Sequence, residues 1–312
     1  MQSANTVFMV RPARFGFNEQ TAGSNHFQQA VAELGAQQAQ AQAFAEFDGV
    51  VATLRGHGVR VLVFDDTPAP AKPDAVFPNN WVSLHADGTV VLYPMHAPNR
   101  RPERRPDILA ALRQQFQITD VLDFSSHEQE GRFLEGTGSI LFDHVHRVAY
   151  ACLSPRTDSG LLAAVASRLG YEAVDFRACD AHGQAIYHTN VMMCVGTGFA
   201  VLCLASIADA AERAAVTGRL AATGHEIIDI TLAQVGQVAG NLLTLRPAAG
   251  TGELLALSQS AFDALTGEQK QALRRHCVLV PLRIPTIETL GGGSARCMLA
   301  EVFLPAATDP TP

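Results

Sequence analysis

Five short stretches of the chain share one pattern, in which a loop bearing a polar side chain opens into an apolar run: FPNNWVSL, LEGTGSILF, YHTNVMMCV, AGNLLTL and SARCMLAEV. Marked by Asn80, Glu135, His188, Asn241 and Cys297, they recur at intervals of 55, 53, 53 and 56 residues. A near-constant period of this length signals an internal repeat. After each of the first four comes a second β-like run: TVVLYPM, HRVAYACLS, GFAVLCLAS and ELLALSQS. Next come segments whose apolar positions recur near every 3.6 residues: RPDILAALRQQF, SGLLAAVASRLG, ADAAERAAVTGRLAATG and SAFDALTGEQKQALRRH. That spacing predicts amphipathic helices. A third β-run closes each unit: QITDVLDF, YEAVDFRA, HEIIDIT and CVLVPLRIP. The unit is β-β-α-β, four times over.

The fifth unit is split between the chain ends. The N-terminus supplies a second-type strand, TVFMVRPARF, a long helical region through FAEFDGVVATLRGHG, and a third-type strand, VRVLVFDD; the missing first strand is CMLAEVFLP near the C-terminus. The chain is therefore expected to close a ring with its own two ends, which limits exposed strand edges, and to form one α/β domain over residues 1–312. Strand–helix alternation alone also fits a doubly wound α/β sheet; the constant interval favours the ring.

Composition narrows the function classes. Apolar residues make up 47% and charged residues 17% of the 312, so a sizeable core is available. The formal net charge of −7 comes with no basic run longer than NRRPERR at 99–105, which leaves no electrostatic footprint for nucleic acid; that cluster reads as a solvated loop leading into a helix. No signal-peptide pattern and no long apolar window is present, so a cytoplasmic protein without membrane association is expected. The six cysteines show no CxxC spacing and read as free thiols. Scattered histidines without an HExxH pair suggest no metal, and the absence of a phosphate-cradling glycine loop suggests no nucleotide, so no cofactor is expected. The oligomeric state is open, a homo-oligomer included.

If the five units are related by rotation, their markers lie at one height around a common axis. Asn80, Glu135, His188 with Asn190, Asn241 and Cys297 would then converge on one pocket. Cysteine, histidine and glutamate supply a nucleophile, a proton carrier and a hydrogen-bonding carboxylate. Glycines 291 to 293 ahead of Cys297 permit positive φ and close approach of the backbone to a ligand.

These motifs, in this order, resemble the guanidino-group-modifying superfamily, the penteins or amidinotransferase fold. It includes arginine deiminase, dimethylarginine hydrolase, agmatine deiminase, succinylarginine dihydrolase and the amidinotransferases. The resemblance covers nearly the whole chain, through RPARFGFNEQTAGSN, PDAVFPNNW, LEGTGSILF, SPRT, YHTNVMM, GNLL and LGGGSARCMLAEV. It implies a five-bladed α/β propeller with the nucleophile at Cys297, the proton-transferring histidine at His188 and its carboxylate partner at Glu135. PDAVF looks like the substrate loop of dimethylarginine hydrolases, which puts Asp74 and Phe77 near a small amino-acid ligand. Arg156, in SPRT, falls where the family often holds the substrate carboxylate; an exposed arginine in a turn is the alternative. Asn18 is a candidate lid residue.

The departures from the family pattern bear on substrate. Where arginine-processing relatives place two aspartates against a guanidinium, this chain has Asn80 and Asn190. Two neutral amides suit a neutral ureido head, and the motif set looks most like the citrulline utilisation hydrolase branch, which implies hydrolysis of L-citrulline to L-ornithine, ammonia and CO2 through a thioester. In that scheme His188, kept charged by Glu135, supports the Cys297 thiolate. The alternatives are an arginine-directed deiminase or dihydrolase acting on arginine or succinylarginine, and a non-catalytic propeller that serves as a binding module.

Overall fold

The computed structural model describes residues 1–31 and 35–307. Its strands fall into five sheets of three. They are β1 (Thr6–Arg11), β2 (Arg60–Asp65), β3 (Val82–Leu84), β4 (Thr89–Leu92), β5 (Asp120–Asp123), β6 (Leu141–Asp143), β7 (Val148–Cys152), β8 (Glu172–Phe176), β9 (Met193–Val195), β10 (Phe199–Leu202), β11 (Glu226–Asp229), β12 (Leu243–Leu245), β13 (Leu254–Ser258), β14 (Val278–Leu282) and β15 (Ala300–Glu301).

Each sheet repeats one wiring. A short first strand pairs antiparallel with the central strand, as in β6 against β7, and the third pairs parallel with it after a helical crossover, as in β7 with β8. Parallel pairing requires such a crossover, which is why the helix falls between the second and third runs of every unit. The first sheet has the order β15-β1-β2, with Phe8 opposite Ala300 and Val7 opposite Glu301, so the two ends of the chain do share a sheet. Single bridges connect sheets as well, Leu84 to Val302 and Ala4 to Leu245.

Helices cover the sheets with the apolar faces the periodicity predicts. In the helix Ala36–Gly56, Phe47, Val50 and Leu54 are buried with Met9 and Val61 in one cluster, each large side chain contributing roughly 2–3 kcal/mol of burial. Among the described residues no helix is long and apolar enough to cross a membrane.

Three expectations change. The fourth crossover, expected as one helix, is two, Gln259–Ala264 and Gly267–Arg274, because Thr266 caps the second in a reciprocal capping box with Gln269. Apolar spacing runs through such a break without registering it. Four of the five markers also do not open their strands directly. Asn80 and Cys297 lie within short helical turns, Pro78–Asn80 and Ala295–Met298, while Glu135 and His188 immediately precede the turns Gly136–Ser139 and Thr189–Val191. Finally, NRRPERR is not a solvated loop: Pro98–Glu103 is a 3-10 helix in which Arg100 and Glu103 are buried.

Candidate active site

The structure brings Cys297, His188, Glu135, Asn190, Asn241 and Asn80 together, each at most 4% exposed. The Cys297 thiol is held by two amides: Nδ2 of Asn241 lies 3.3 Å and Nδ2 of Asn190 3.4 Å from Sγ. Asn241 is itself fixed, its Oδ1 accepting from the Arg296 backbone N–H at 3.0 Å and its Nδ2 reaching the Asn190 carbonyl at 3.1 Å. Both amides thus point hydrogen-bond donors at the sulfur.

His188 points its Nε2 at Glu135 Oε2, 2.8 Å away. A carboxylate only accepts, so Nε2 carries the hydrogen and the neutral ring keeps a lone pair on Nδ1. Burial and the nearby Arg156 and Arg100 outweigh the pull of Glu135 and lower the His188 pKa to about 4. That direction favours the neutral imidazole where the sequence suggested an imidazolium, and the sulfur's hydrogen-bond donors are the two asparagines. Burial works to raise the Glu135 pKa, but Arg156, the His188 hydrogen bond and Arg100 hold it below the usual carboxylate range. Its second oxygen accepts the His96 backbone N–H at 2.9 Å.

A second buried network centres on Arg100. Its Nε and Nη2 form a fork on the two Glu103 carboxylate oxygens, both at 2.9 Å, its Nη1 donates to Asn80 Oδ1 at 2.9 Å, and Asp74 Oδ2 lies 3.6 Å from Nε. A fork of this kind is the strongest neutral-pH partner available to a buried guanidinium. Burial nevertheless raises Glu103 to about 7 and pushes Asp74 above its ordinary value. Sequence reasoning passed over both Arg100 and Glu103; their i, i+3 spacing after Pro98 was the available signal.

The other expected site residues divide. Phe77 packs on the glycine stretch, where a Cβ on Gly291 or Gly293 would meet its ring at 2.7–2.8 Å. Asp74 faces the pocket with one oxygen, Oδ1, buried and without a hydrogen-bond partner. Asn80 turns its carbonyl to Arg100 and leaves Nδ2 unpartnered; Asn190 Oδ1 is likewise free. Arg156 is not exposed but 2% accessible. It contacts Glu135 Oε2 at 3.4 Å, Ser24 Oγ and the Thr21 carbonyl, and lies over the Tyr187 ring. Asn18, expected as a lid residue, is buried: its Nδ2 donates to Asp74 Oδ2 at 2.7 Å and its Oδ1 caps the following helical turn.

An arm from the N-terminal segment closes the pocket over the glycines. Asn25 Nδ2 donates to the carbonyls of Gly291 and Gly292, Gln28 Nε2 to Leu290, and Tyr187 hydroxyl to Gly292. Of the three glycines only Gly292 has positive φ, +63°, and a Cβ there would lie 2.6 Å from Asn25 Nδ2. The cavity among these groups, about 10 Å³, holds roughly one water. Larger cavities of about 430 and 330 Å³ lie against Met1, away from these groups; chemistry rather than volume identifies the site.

The five repeated sheets and the buried Cys-His-Glu set have the guanidino-modifying enzyme fold of the pentein or amidinotransferase superfamily. More closely, the chain belongs to the family described as N,N dimethylarginine dimethylhydrolase, eukaryotic, whose model matches residues 11–304. Among solved structures, the N-terminal domain of ArgZ bound covalently to a reaction intermediate is 19% identical with a TM-score of 0.73, covering 96% of this chain and 98% of that one; ArgZ is an arginine dihydrolase of cyanobacteria. Unliganded AgrE is 18% identical with a TM-score of 0.75 over 97% of this chain, which spans 40% of AgrE. A dimethylarginine dimethylaminohydrolase adduct with S-methyl-L-thiocitrulline is 14% identical with a TM-score of 0.63, covering 96% and 100%. No curated protein matches the chain in sequence.

Proposed function

We propose that the chain is a cysteine-dependent hydrolase of a guanidino amino acid, acting on L-arginine and carrying it to L-ornithine. The observation that supports this most directly is a buried thiol held by two amides beside a His188–Glu135 pair. In this reading Cys297 Sγ bonds to the guanidino carbon while its proton passes to Nδ1 of neutral His188. The resulting imidazolium, stabilised by Glu135, returns the proton to a departing nitrogen and ammonia leaves. Water then adds to the carbon of the thioester-like intermediate, giving up a proton to His188, and Sγ is expelled. One round converts a guanidino to a ureido group; a second releases ammonia, CO2 and the amine. Covalent capture divides a slow hydrolysis into easier steps.

Substrate charge is where the two sequence readings part. Asn80 and Asn190 alone suggested a neutral head and hence citrulline. The surrounding network supports the arginine-directed alternative: three buried carboxylates, Asp74, Glu103 and Glu135, accompany two buried guanidiniums, Arg100 and Arg156, and Asp74 Oδ1 is an unused acceptor. An unused carboxylate oxygen facing the pocket is an acceptor that a cationic head can satisfy. ArgZ, a structural neighbour, is an arginine dihydrolase, and AgrE is known with L-arginine. Citrulline remains the second reading because the groups touching Sγ are neutral amides, and a dihydrolase must also hydrolyse the ureido stage. Arg156 and Phe77 would line the substrate's chain, with Asn18 holding Asp74 in place.

We also read the five sheets as blades of one closed pseudo-fivefold propeller over the whole chain, on the strength of the β15–β1 pairing and the bridges between sheets. The test of activity is to supply arginine, succinylarginine and citrulline separately and measure ornithine and ammonia. Two ammonia per ornithine from arginine is the expected result. Arrest at citrulline would make it a deiminase, turnover of citrulline but not arginine would restore the second reading, and no turnover of any would leave the non-catalytic binding module.

A further inference from the structure

Away from the Cys297 pocket, three ligand-bearing side chains meet between the third and fourth sheets. Asp143 ends β6, His146 lies in the turn to β7 and His225 leads into β11; one ligand atom from each lies within 4.8 Å of the others. Asp143 Oδ2 is 2.9 Å from His146 Nδ1 and 3.8 Å from His225 Nε2. The Gly196 carbonyl, from the β9–β10 turn, lies 3.1 Å from the same Nε2. Asp143 and His225 are buried, whereas His146 is half-buried and gives the cluster access to solvent.

His225 meets the cluster through Nε2 while its Nδ1 has a partner of its own. Thr223 hydroxyl lies 3.0 Å from both the Arg219 and Leu220 carbonyls and 2.8 Å from His225 Nδ1. A hydroxyl has one hydrogen: either it goes to a carbonyl and the oxygen accepts from Nδ1–H, or it is donated to Nδ1. In the first arrangement the Nε2 lone pair faces the Asp143 carboxylate, the form a metal ligand needs; in the second Nε2–H donates to the Gly196 carbonyl. Nearby, Tyr150 hydroxyl is buried with no hydrogen-bond partner, and the Asp143 charge acts on it.

We propose that Asp143, His146 and His225 bind a first-row divalent cation of the zinc class. Two imidazole nitrogens and a carboxylate oxygen are the donors such a cation takes, and metal–ligand bonds of about 2.0–2.2 Å put tetrahedral ligands roughly 3.3–3.5 Å apart. The observed separations bracket that spacing, with Gly196 carbonyl or a water for the fourth position and Thr223 accepting from His225 Nδ1–H in the first arrangement. The cation would tie the third sheet to the fourth at the ends of β6 and β9, the strands whose starts follow Glu135 and His188. The scattered histidines suggested no metal because the third ligand is 79 residues from the second.

The test uses the full chain carrying Cys297→Ser, so that the pocket thiol cannot serve as a ligand, with Co(II) and Zn(II) as probes. One equivalent of Co(II) is expected to produce the intense visible bands of a four-coordinate site, displaced by Zn(II), and saturating Zn(II) to raise Tm by several degrees. Asp143→Asn and His225→Ala should each weaken binding at least tenfold. Because His225→Ala could perturb folding, His146→Ala, in a half-buried turn, is the companion variant, with its fold checked by circular dichroism. Absence of the bands, or bands that persist in all three ligand variants, would overturn the proposal and leave an ion-pair cluster.

Discussion

Strands β6 and β9 carry a polar cluster at each end, and the two clusters are built differently. At their starts, Glu135 and His188 are sealed from water, and every charge there is balanced by a residue from another part of the chain: Arg156 from beyond β7, Arg100 from beyond β4, and the N-terminal arm through Ser24 and Thr21. At their ends, Asp143 is met first by its near neighbour His146. Desolvation explains the contrast. A buried charge is tolerated only with well-placed partners, and one short segment cannot supply them all, so the sealed cluster must be collective. A cluster open to water through His146 can be largely local.

The comparison is broken most severely at the sulfur. Cys297→Ser is expected to abolish product release, by roughly 10³-fold or more, with the circular dichroism spectrum unchanged; residual turnover near wild type would remove Cys297 from the role proposed for it. Next, Asn241→Ala should lower turnover on the order of 10²-fold, since one of two donors at Sγ is lost, and should slow alkylation of Cys297 by iodoacetamide at pH 7. Equal alkylation rates in variant and wild type would show that the Asn241 amide does not act on the sulfur.

Arg100→Ala probes the collective character. It leaves Glu103 and Asp74 buried without their cation, a cost of about 3–5 kcal/mol measurable by urea unfolding. The Glu103 pKa is raised to about 7 in the wild type, so its neutral form is favoured in the fold and stability from this group is lost as pH rises from its unfolded value through 7. The variant should accordingly be closer to wild type at pH 5 than at pH 8. The smallest effect is on the pH profile. With His188 at about 4, kcat/KM should stay level down to about pH 5 and fall only as the imidazole gains its proton below that; an acidic limb centred near 6.5 would show that the ring is not desolvated as the structure implies.

The repeat and its phase were legible in the sequence because each unit must rebuild the same β-β-α-β geometry, which imposes the same apolar spacing. The phase alone placed Asn80, Glu135, His188, Asn241 and Cys297 together, and the fold brings them together. Arg100 was missed for a physical reason: in sequence a guanidinium in a basic run reads as solvated, and only the position of Glu103 and Asp74 around it reveals that it is buried. The partner of Asn18, Asp74, was not legible either, because polarity shows that a side chain hydrogen-bonds, not with what. The split at Thr266 escaped notice because capping is a matter of one hydroxyl, while periodicity averages over turns.

By itself the sequence determined the order and period of the elements, the split unit shared by the two ends, and which side chains have the chemistry to act. Those properties are local, set by side-chain type and spacing. Tertiary structure decided the protonation of His188, the amides that hold Cys297, and the balance of three carboxylates against two guanidiniums. These depend on distance and dielectric between residues tens to hundreds of positions apart, which no spacing along the chain encodes.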